Sequence, residues 1–347
     1  MKNKRLAMVS FTPGGKELAD RLADMLGDSE FSGIETVHRP ITFREWMEEN
    51  FQRLDALVFI GAMGIIVREM APLLKGKTVD PAVVVLDEKG QFVISVLSGH
   101  LGGANELTER LAAMLGAAPV ITTASDVNKK LAVDSCAKKN GLVISSMEQA
   151  KKCAAKIVSG APVSFLCQGP VFGKIPEEIK AEPSEAAFHI CVSGQRMEPK
   201  EDLLQLLPKA FVVGIGCKRG TSAEQIERRI GEELEKQNID LRSVLCLASI
   251  DLKKDDEGLL EFSGKNHLPV HFYSAEELLK AEGSFTPSAF VLKAAGVDNV
   301  CERAAFLAAR EQGSGNASTE QDMILRKSGK DGVTAAIMKI DWSVCFE

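Results

Sequence analysis

A histidine held in a glycine-rich loop is the residue of this chain best placed to move protons. In Leu97-Ser-Gly-His-Leu-Gly-Gly-Ala-Asn105, His100 lies between Gly99 and the Gly102-Gly103 pair. An imidazole titrates near neutral pH and can serve as general acid or base. Asn105 and Glu106 follow within one helical turn, where they can orient the ring or share its proton. Asp126, after Thr122-Thr123, and Asp134 can complete a polar pocket. The bland reading makes Ser98 a cap, His100 structural and both acids turn residues.

Four glycine-rich turns offer a second chemistry, the holding of anions. They are Thr12-Pro-Gly14-Gly15, Gly61-Ala-Met-Gly64, Ser98 to Gly103, and Gly214-Ile-Gly216-Cys217-Lys218-Arg219-Gly220. Each follows an expected strand and opens an expected helix. Helix N-termini present unpaired N–H groups and a positive dipole end, and that edge of a doubly wound sheet is where ligands bind. One such turn is explained by a tight connection alone; four together favour a site. Lys218 and Arg219 can clamp a carboxylate, against the bland reading of solvated surface. Cys217 reads as a small buried residue. Ser249-Ile-Asp251 ends a strand that can reach the same crevice, and Thr221-x-x-Glu224 reads as a capping box.

Other chemistries are disfavoured. The G-x-G-x-x-x-G spacing of 214–220 is a loose dinucleotide fingerprint. Gly76-Lys77-Thr78 resembles the end of a phosphate loop, but Ala71 stands where its first glycine belongs and Asp80-Pro81 breaks the helix that should follow. There is no G-x-S-x-G nucleophile elbow. The 8 cysteines and 5 histidines are scattered, with no metal-ligand spacing, which suits reduced thiols in the cytoplasm. With 42 basic and 48 acidic residues and only 5% aromatics, neither a field nor a stacking platform favours nucleic acid. No apolar run approaches the roughly 20 residues of a membrane span.

The elements that must position these residues alternate. Strands are expected at 6–11, 56–60, 82–86, 92–97, 119–123, 163–167, 210–215, 244–252, 270–273 and 333–340. Helices are expected at 16–26, from Ile65 to Leu73, 105–115, 147–157, 223–235 and 300–310. Strand, glycine turn, helix, strand implies α/β domains with mostly parallel sheets in three layers. At 347 residues the chain has room for two or three domains. They are expected at 1–137 (α/β, carrying the Ser-Gly-His loop), 138–207 (small middle α/β domain and linker) and 208–347 (α/β).

Several long segments resemble one family. Gly61-Ala-Met-Gly-Ile-Ile-Val-Arg68, Ala71 to Lys77, Asp80-Pro-Ala-Val-Val-Val-Leu-Asp87, Leu97 to Asn105 and Ile121-Thr-Thr-Ala-Ser-Asp126 resemble the cobalt-precorrin-5A hydrolases, the G proteins of anaerobic cobalamin (vitamin B12) biosynthesis. The last part is similar to that family's C-terminal module through Gly214 to Thr221, Ala248 to Lys254, Tyr273 to Leu278 and Val300-Cys-Glu302. Residues 140–205 match only in position and character, and Arg326-Lys327 stands where the family has a Pro-Lys pair.

The resemblance implies a hydrolase that opens the δ-lactone between the ring A acetate and C20 of a cobalt corrinoid. C20 and its methyl then leave as acetaldehyde, giving cobalt-precorrin-5B. The cobalt arrives inside the substrate, so no cofactor and no protein-held metal is implied. Arg68, Lys77, Lys218 and Arg219, with the glycine turns, would receive substrate carboxylates. His100, tuned by Glu106, would deprotonate water; N–H groups of Gly99, Gly102 and Gly103 would hold the oxyanion; His100 or Asp126 would take the C20 alcohol proton. The partner is the corrinoid alone, without nucleic acid or membrane; a homodimer and transient contacts with neighbouring pathway enzymes stay open. The rival readings are a corrinoid carrier without turnover and a dinucleotide-dependent oxidoreductase.

Overall fold

A computed structural model of the protein describes residues 4–27, 31–76, 79–128, 130–313 and 319–346. The chain divides into two compact units, one ending at Ser135 and the other beginning at Cys136.

The first unit contains, in order, β1 (Lys4–Ser10), α1 (Pro13–Leu26), β2 (Phe31–His38), α2 (Phe43–Asn50), β3 (Ala56–Ile60), α3 (Met63–Met70), β4 (Ala82–Leu86), β5 (Phe92–Leu97), α4 (Ala104–Leu115), β6 (Ala118–Val120) and α5 (Ala124–Val127). One sheet, ordered β2-β1-β3-β4-β5-β6, is parallel except for the β4–β5 pair. Successive strand side chains point to opposite faces, and both faces are apolar. Met8, Val58, Ile60 and Val84 pack with Leu18, Leu22, Leu107 and Leu111 of α1 and α4. Val9, Phe59 and Val85 pack with Met47 of α2, Phe51 just after it, and Ile66 and Met70 of α3. That is the expected three-layer α/β arrangement. β2 escapes a sequence reading because it is an edge strand with Ser32, Gly33, Glu35 and Thr36 exposed. The strand expected at 119–123 stops at Val120, because Thr123 turns to start α5.

α6 (Val133–Lys139) carries the chain across the division. In the second unit β7 (Val143–Ile144), α7 (Met147–Ser159), β8 (Val163–Cys167), β9 (Val171–Gly173), β10 (Phe188–Val192) and β11 (Leu203–Leu207) come first. Four of these strands form the small middle sheet, ordered β7-β11-β10-β8. Then follow β12 (Phe211–Cys217), α8 (Ala223–Lys236), β13 (Val244–Ile250), α9 (Glu257–Asn266), β14 (Val270–Tyr273), α10 (Ala275–Leu279), α11 (Ala289–Ala295), α12 (Cys301–Gln312), β15 (Met323–Lys330), β16 (Val333–Lys339) and β17 (Val344–Phe346). The larger sheet runs β14-β13-β12-β16-β15, its first three strands parallel and its last two antiparallel. α8 and α9 cover one face through Ile226, Ile230 and Phe262, and α12 covers the other through Ala304, Ala305 and Ala308. β17 pairs with β9, tying the end of the chain to the middle segment. No helix among the described residues is long and apolar enough to cross a membrane.

The fourth glycine turn needs correction. Gly214 and Gly216 lie inside β12 and do not form a turn. A Cβ on Gly214 would collide with the Cys301 carbonyl, so this glycine sets the spacing between α12 and the sheet. Gly214→Ala is therefore expected to destabilise the second unit by about 1–3 kcal/mol through overpacking, read as a lower urea midpoint. An unchanged midpoint would show that the helix can move away from the sheet at no cost.

Candidate active site

The site grows from the loop between β5 and α4. Ser98 adopts φ +56°, a left-handed conformation that is costly for a residue with a Cβ. Its Oγ donates to the Asp80 carbonyl at 3.0 Å, which fixes it there. Gly102 makes the reversal possible, because a Cβ at that position would overlap the Ser98 side chain and carbonyl. Gly103, at φ +91°, then caps α4. The first helical N–H groups close the loop: Ala104 donates to the Ser98 carbonyl at 3.2 Å and Asn105 to the Gly99 carbonyl at 3.0 Å.

Asn105 is buried, and its side chain joins three elements. Oδ1 accepts from Ser95 Oγ of β5 at 2.6 Å. Nδ2 donates to Thr123 Oγ1 at 3.0 Å and to Asp126 Oδ2 at 3.1 Å, which places α5. Asp126 in turn accepts from His100 Nε2 at 2.7 Å. The other ring nitrogen, Nδ1, lies 3.2 Å from Asp134 Oδ1 in the first turn of α6.

An imidazole flanked by two carboxylates is satisfied only when both nitrogens carry protons. The Asp134 hydrogen bond does most to raise the His100 pKa. Burial opposes it and the Asp126 hydrogen bond adds to it, and the result is about 9. For Asp134, burial is the largest influence and raises the pKa, but the hydrogen bond and charge of His100 prevail and hold it below its usual value. His100 thus rests as an imidazolium, so the proton that a resting base would take from water is already on the ring.

His100 and Asp134 open onto a cavity of about 470 Å³, with Val96 and Leu97 as apolar wall and Lys75 at its exposed lip. The wall segment is pinned by Asp80, whose carboxylate accepts from the Lys75 and Gly76 backbone N–H groups at 3.0 and 2.9 Å and from Gln52 at 3.2 Å. Burial works to raise the Asp80 pKa, but these three donors outweigh it and lower it overall.

The fold brings Ser98, Gly99, His100, Asn105, Thr123 and Asp126 together. It separates Glu106 from them. One residue along a helix turns the side chain by about 100°, so Glu106 is exposed and lines a different, small cavity with Lys4 and Arg110. Gly102 and Gly103 line that second cavity as well, which leaves Gly99 as the loop glycine at the His100 cavity. Gly14, Gly15 and Gly61 serve packing, against Glu88, Thr12 with Ile60, and the Phe11 ring. Gly64 and Arg68 are exposed on α3 and line neither cavity. Lys77 lies outside the described residues. Asp80 and Lys75 were missed, since single residues in a loop give no spacing signal.

In the second unit Gly216, Cys217, Lys218 and Arg219 line a larger cavity of about 820 Å³. Three other expected contacts are internal. Thr221 Oγ1 donates to the Lys218 carbonyl at 2.8 Å, Ser249 Oγ donates to the Ile215 carbonyl at 2.7 Å, and buried Glu302 accepts from Thr286 and the Lys327 N–H. Asp251 opens a short 3-10 turn and does not line the cavity. The capping box belongs to Ser222 and Gln225 and not to Thr221 and Glu224. Lys253 is largely buried at the cavity wall beside Asp256. Among the described residues no group of three or more His, Cys, Asp and Glu is arranged to hold a metal ion.

Three family models match consecutive stretches: "Cobalamin synthesis G N-terminal" at 45–126, "Cobalamin biosynthesis central region" at 131–208 and "Cobalamin synthesis G C-terminus" at 211–338. The cobalt-precorrin-5A hydrolase of Salmonella typhimurium is 37% identical over 342 residues, covering 94% of this chain and 97% of its own length. That of Priestia megaterium is 35% identical, covering 96% and 95%. A solved cobalamin biosynthesis protein G homolog from Sulfolobus solfataricus aligns over 97% of both chains at 24% identity and a TM-score of 0.43.

Folding raises the His100 pKa, so the charged ring stabilises the native state fully below about pH 6.5, and that contribution is lost as pH rises through about 9. NMR titration should find one imidazole titrating near pH 9, with Asp134→Asn moving it back toward 6.5. A His100 that titrates near 6.5 in the wild type would refute the double carboxylate contact.

Proposed function

The chain belongs to the cobalt-precorrin-5A hydrolase family, and on that premise we propose that it opens the substrate δ-lactone and expels acetaldehyde with His100 as the residue that moves the proton. The supporting observation is the imidazole held between Asp126 and Asp134 at the edge of a cavity. The cobalt enters with the substrate, and every step below uses only the chain's own groups.

Water attacks the lactone carbonyl and passes one proton to Asp134, whose carboxylate faces the cavity. Gly99 N–H and the imidazolium stabilise the oxyanion. When the acyl–oxygen bond breaks, His100 Nδ1 donates its proton to the departing C20 oxygen. Asp126 keeps Nε2 oriented throughout, held in turn by Asn105. His100 is now neutral and basic. It takes the same proton back from the C20 hydroxyl as the bond from C20 to the ring breaks, acetaldehyde forms and the bonding electrons enter the macrocycle. Asp134 returns its proton to solvent. A pKa of about 9 keeps the ring protonated at rest for the donating half of this exchange, and it makes the neutral ring a stronger base for the accepting half. Lys75 at the lip would meet acetate and propionate groups of the substrate. A cytoplasmic setting completes the proposal.

Anaerobic assay with cobalt-precorrin-5A, coupled to alcohol dehydrogenase, should show acetaldehyde released at turnover. His100→Ala should reduce the rate by about 10²–10⁴-fold, while Glu106→Gln should stay near wild type. Activity should decline above about pH 9, where His100 loses its resting proton. Stoichiometric binding without acetaldehyde would favour the carrier reading, and full turnover by His100→Ala would remove the proton role.

A further inference from the structure

The larger cavity of the second unit combines features that no step of the hydrolysis uses. At about 820 Å³ it falls in the range of pockets that enclose a whole small-molecule ligand. Five basic side chains border it, Lys218, Arg219, Lys253, Lys327 and Lys330, and none of its described lining residues is acidic. In a chain with net charge −6 that concentration of cations is local and opposite in sign.

Most of this charge is uncompensated. Lys253 has Asp256 at 2.8 Å, and Lys330 has Glu232 only at 4.0 Å. Lys218, Arg219 and Lys327 have no carboxylate partner among the described residues. Their position is fixed by backbone. Lys218 N–H donates to the Gly332 carbonyl at 2.9 Å, and Lys327 N–H donates to buried Glu302. Between the cations the surface is apolar: Ile250, Val291, Val300 and Val333 line the cavity, and Phe290 stands 73% exposed on α11. A ligand matching these walls needs a broad apolar body edged with several anions. A dinucleotide has its anions at the centre and polar groups at both ends, so it fits less well.

We propose that this cavity is a polycarboxylate macrocycle site in its own right, which recognises the corrinoid by its ring of side-chain carboxylates and its apolar face. The identity of the ligand rests on the hydrolase reading above; the site's chemistry, a large apolar polyanion, does not.

The test uses the full chain and two stable probes: cobyrinic acid, a corrinoid with free carboxylates, and cobinamide, in which they are amides. Wild type and His100→Ala should bind cobyrinic acid alike and cobinamide at least about tenfold more weakly. Lys218→Glu/Lys327→Glu, with an unchanged melting temperature, should lose at least about tenfold in affinity for cobyrinic acid, while Lys218→Arg/Lys327→Arg retains it. Undiminished binding by the double Glu variant, equal binding of the two probes, or displacement of cobyrinic acid by micromolar NADPH would each overturn the proposal. Failure of the acetaldehyde assay alone would refute the hydrolase reading and leave these binding outcomes to be read separately.

Discussion

One buried amide governs the geometry of the first unit's site. Asn105 accepts from Ser95 on β5, donates to Thr123 and Asp126 at α5, and closes the loop through its own N–H to Gly99. With these bonds made, the strand end, the His100 loop, the start of α4 and the start of α5 become one rigid assembly. A buried amide left unpaired would cost about 1–3 kcal/mol for each lost partner, so the contacts are close to all-or-none. The glycine at 99 belongs to the same constraint, because a Cβ there would stand 2.7 Å from Asn105 Oδ1. His100 is thus placed by packing that has no chemical role of its own.

The electrostatics of that assembly follow from its stoichiometry. Two carboxylates and one imidazolium leave a net negative charge beside a cavity proposed to receive a polyanion. The imidazolium offsets one carboxylate, Asn105 solvates Asp126, and Asp134 is left as the group able to change partners. The longer of the two histidine contacts, 3.2 Å to Asp134, is the one at the cavity, and the shorter, 2.7 Å to Asp126, is on the other ring nitrogen to a residue that does not line it. That asymmetry suits a ring anchored on one nitrogen and working through the other.

Much of this was legible in sequence wherever function and local structure coincide. The strands at 56–60 and 82–86 have the expected bounds, because buried strands of a parallel sheet read as unbroken apolar runs; those at 92–97, 163–167 and 270–273 also keep theirs, although they are only partly buried. The loop at 97–105 concentrates its signal in nine residues. Glu106 misled because nearness in sequence is not nearness on a helix. Asp134 could be named but not ranked above Asp126, since its role depends on where α6 starts. Lys327 and Lys330 were invisible as site residues: they reach the second cavity from β15, more than 100 residues beyond Lys218, and only the β15–β16 hairpin brings them back.

The two cavities have opposite compositions, and each composition suits a different kind of energetic work. Contacts to carboxylates that do not react are equally strong in the ground and transition states, so they raise affinity without accelerating the chemical step. A cation-lined apolar cavity suits that task, and acidic groups there would only weaken it. The chemical step needs groups whose charge changes during reaction, and such groups must be held by others of opposite sign. Carboxylates around His100, and none among the described walls of the cavity at Lys218, suit this division. A His100 site lined with lysines would hold the substrate more tightly, but it would lower the imidazole pKa and remove the proton that the departing alcohol needs.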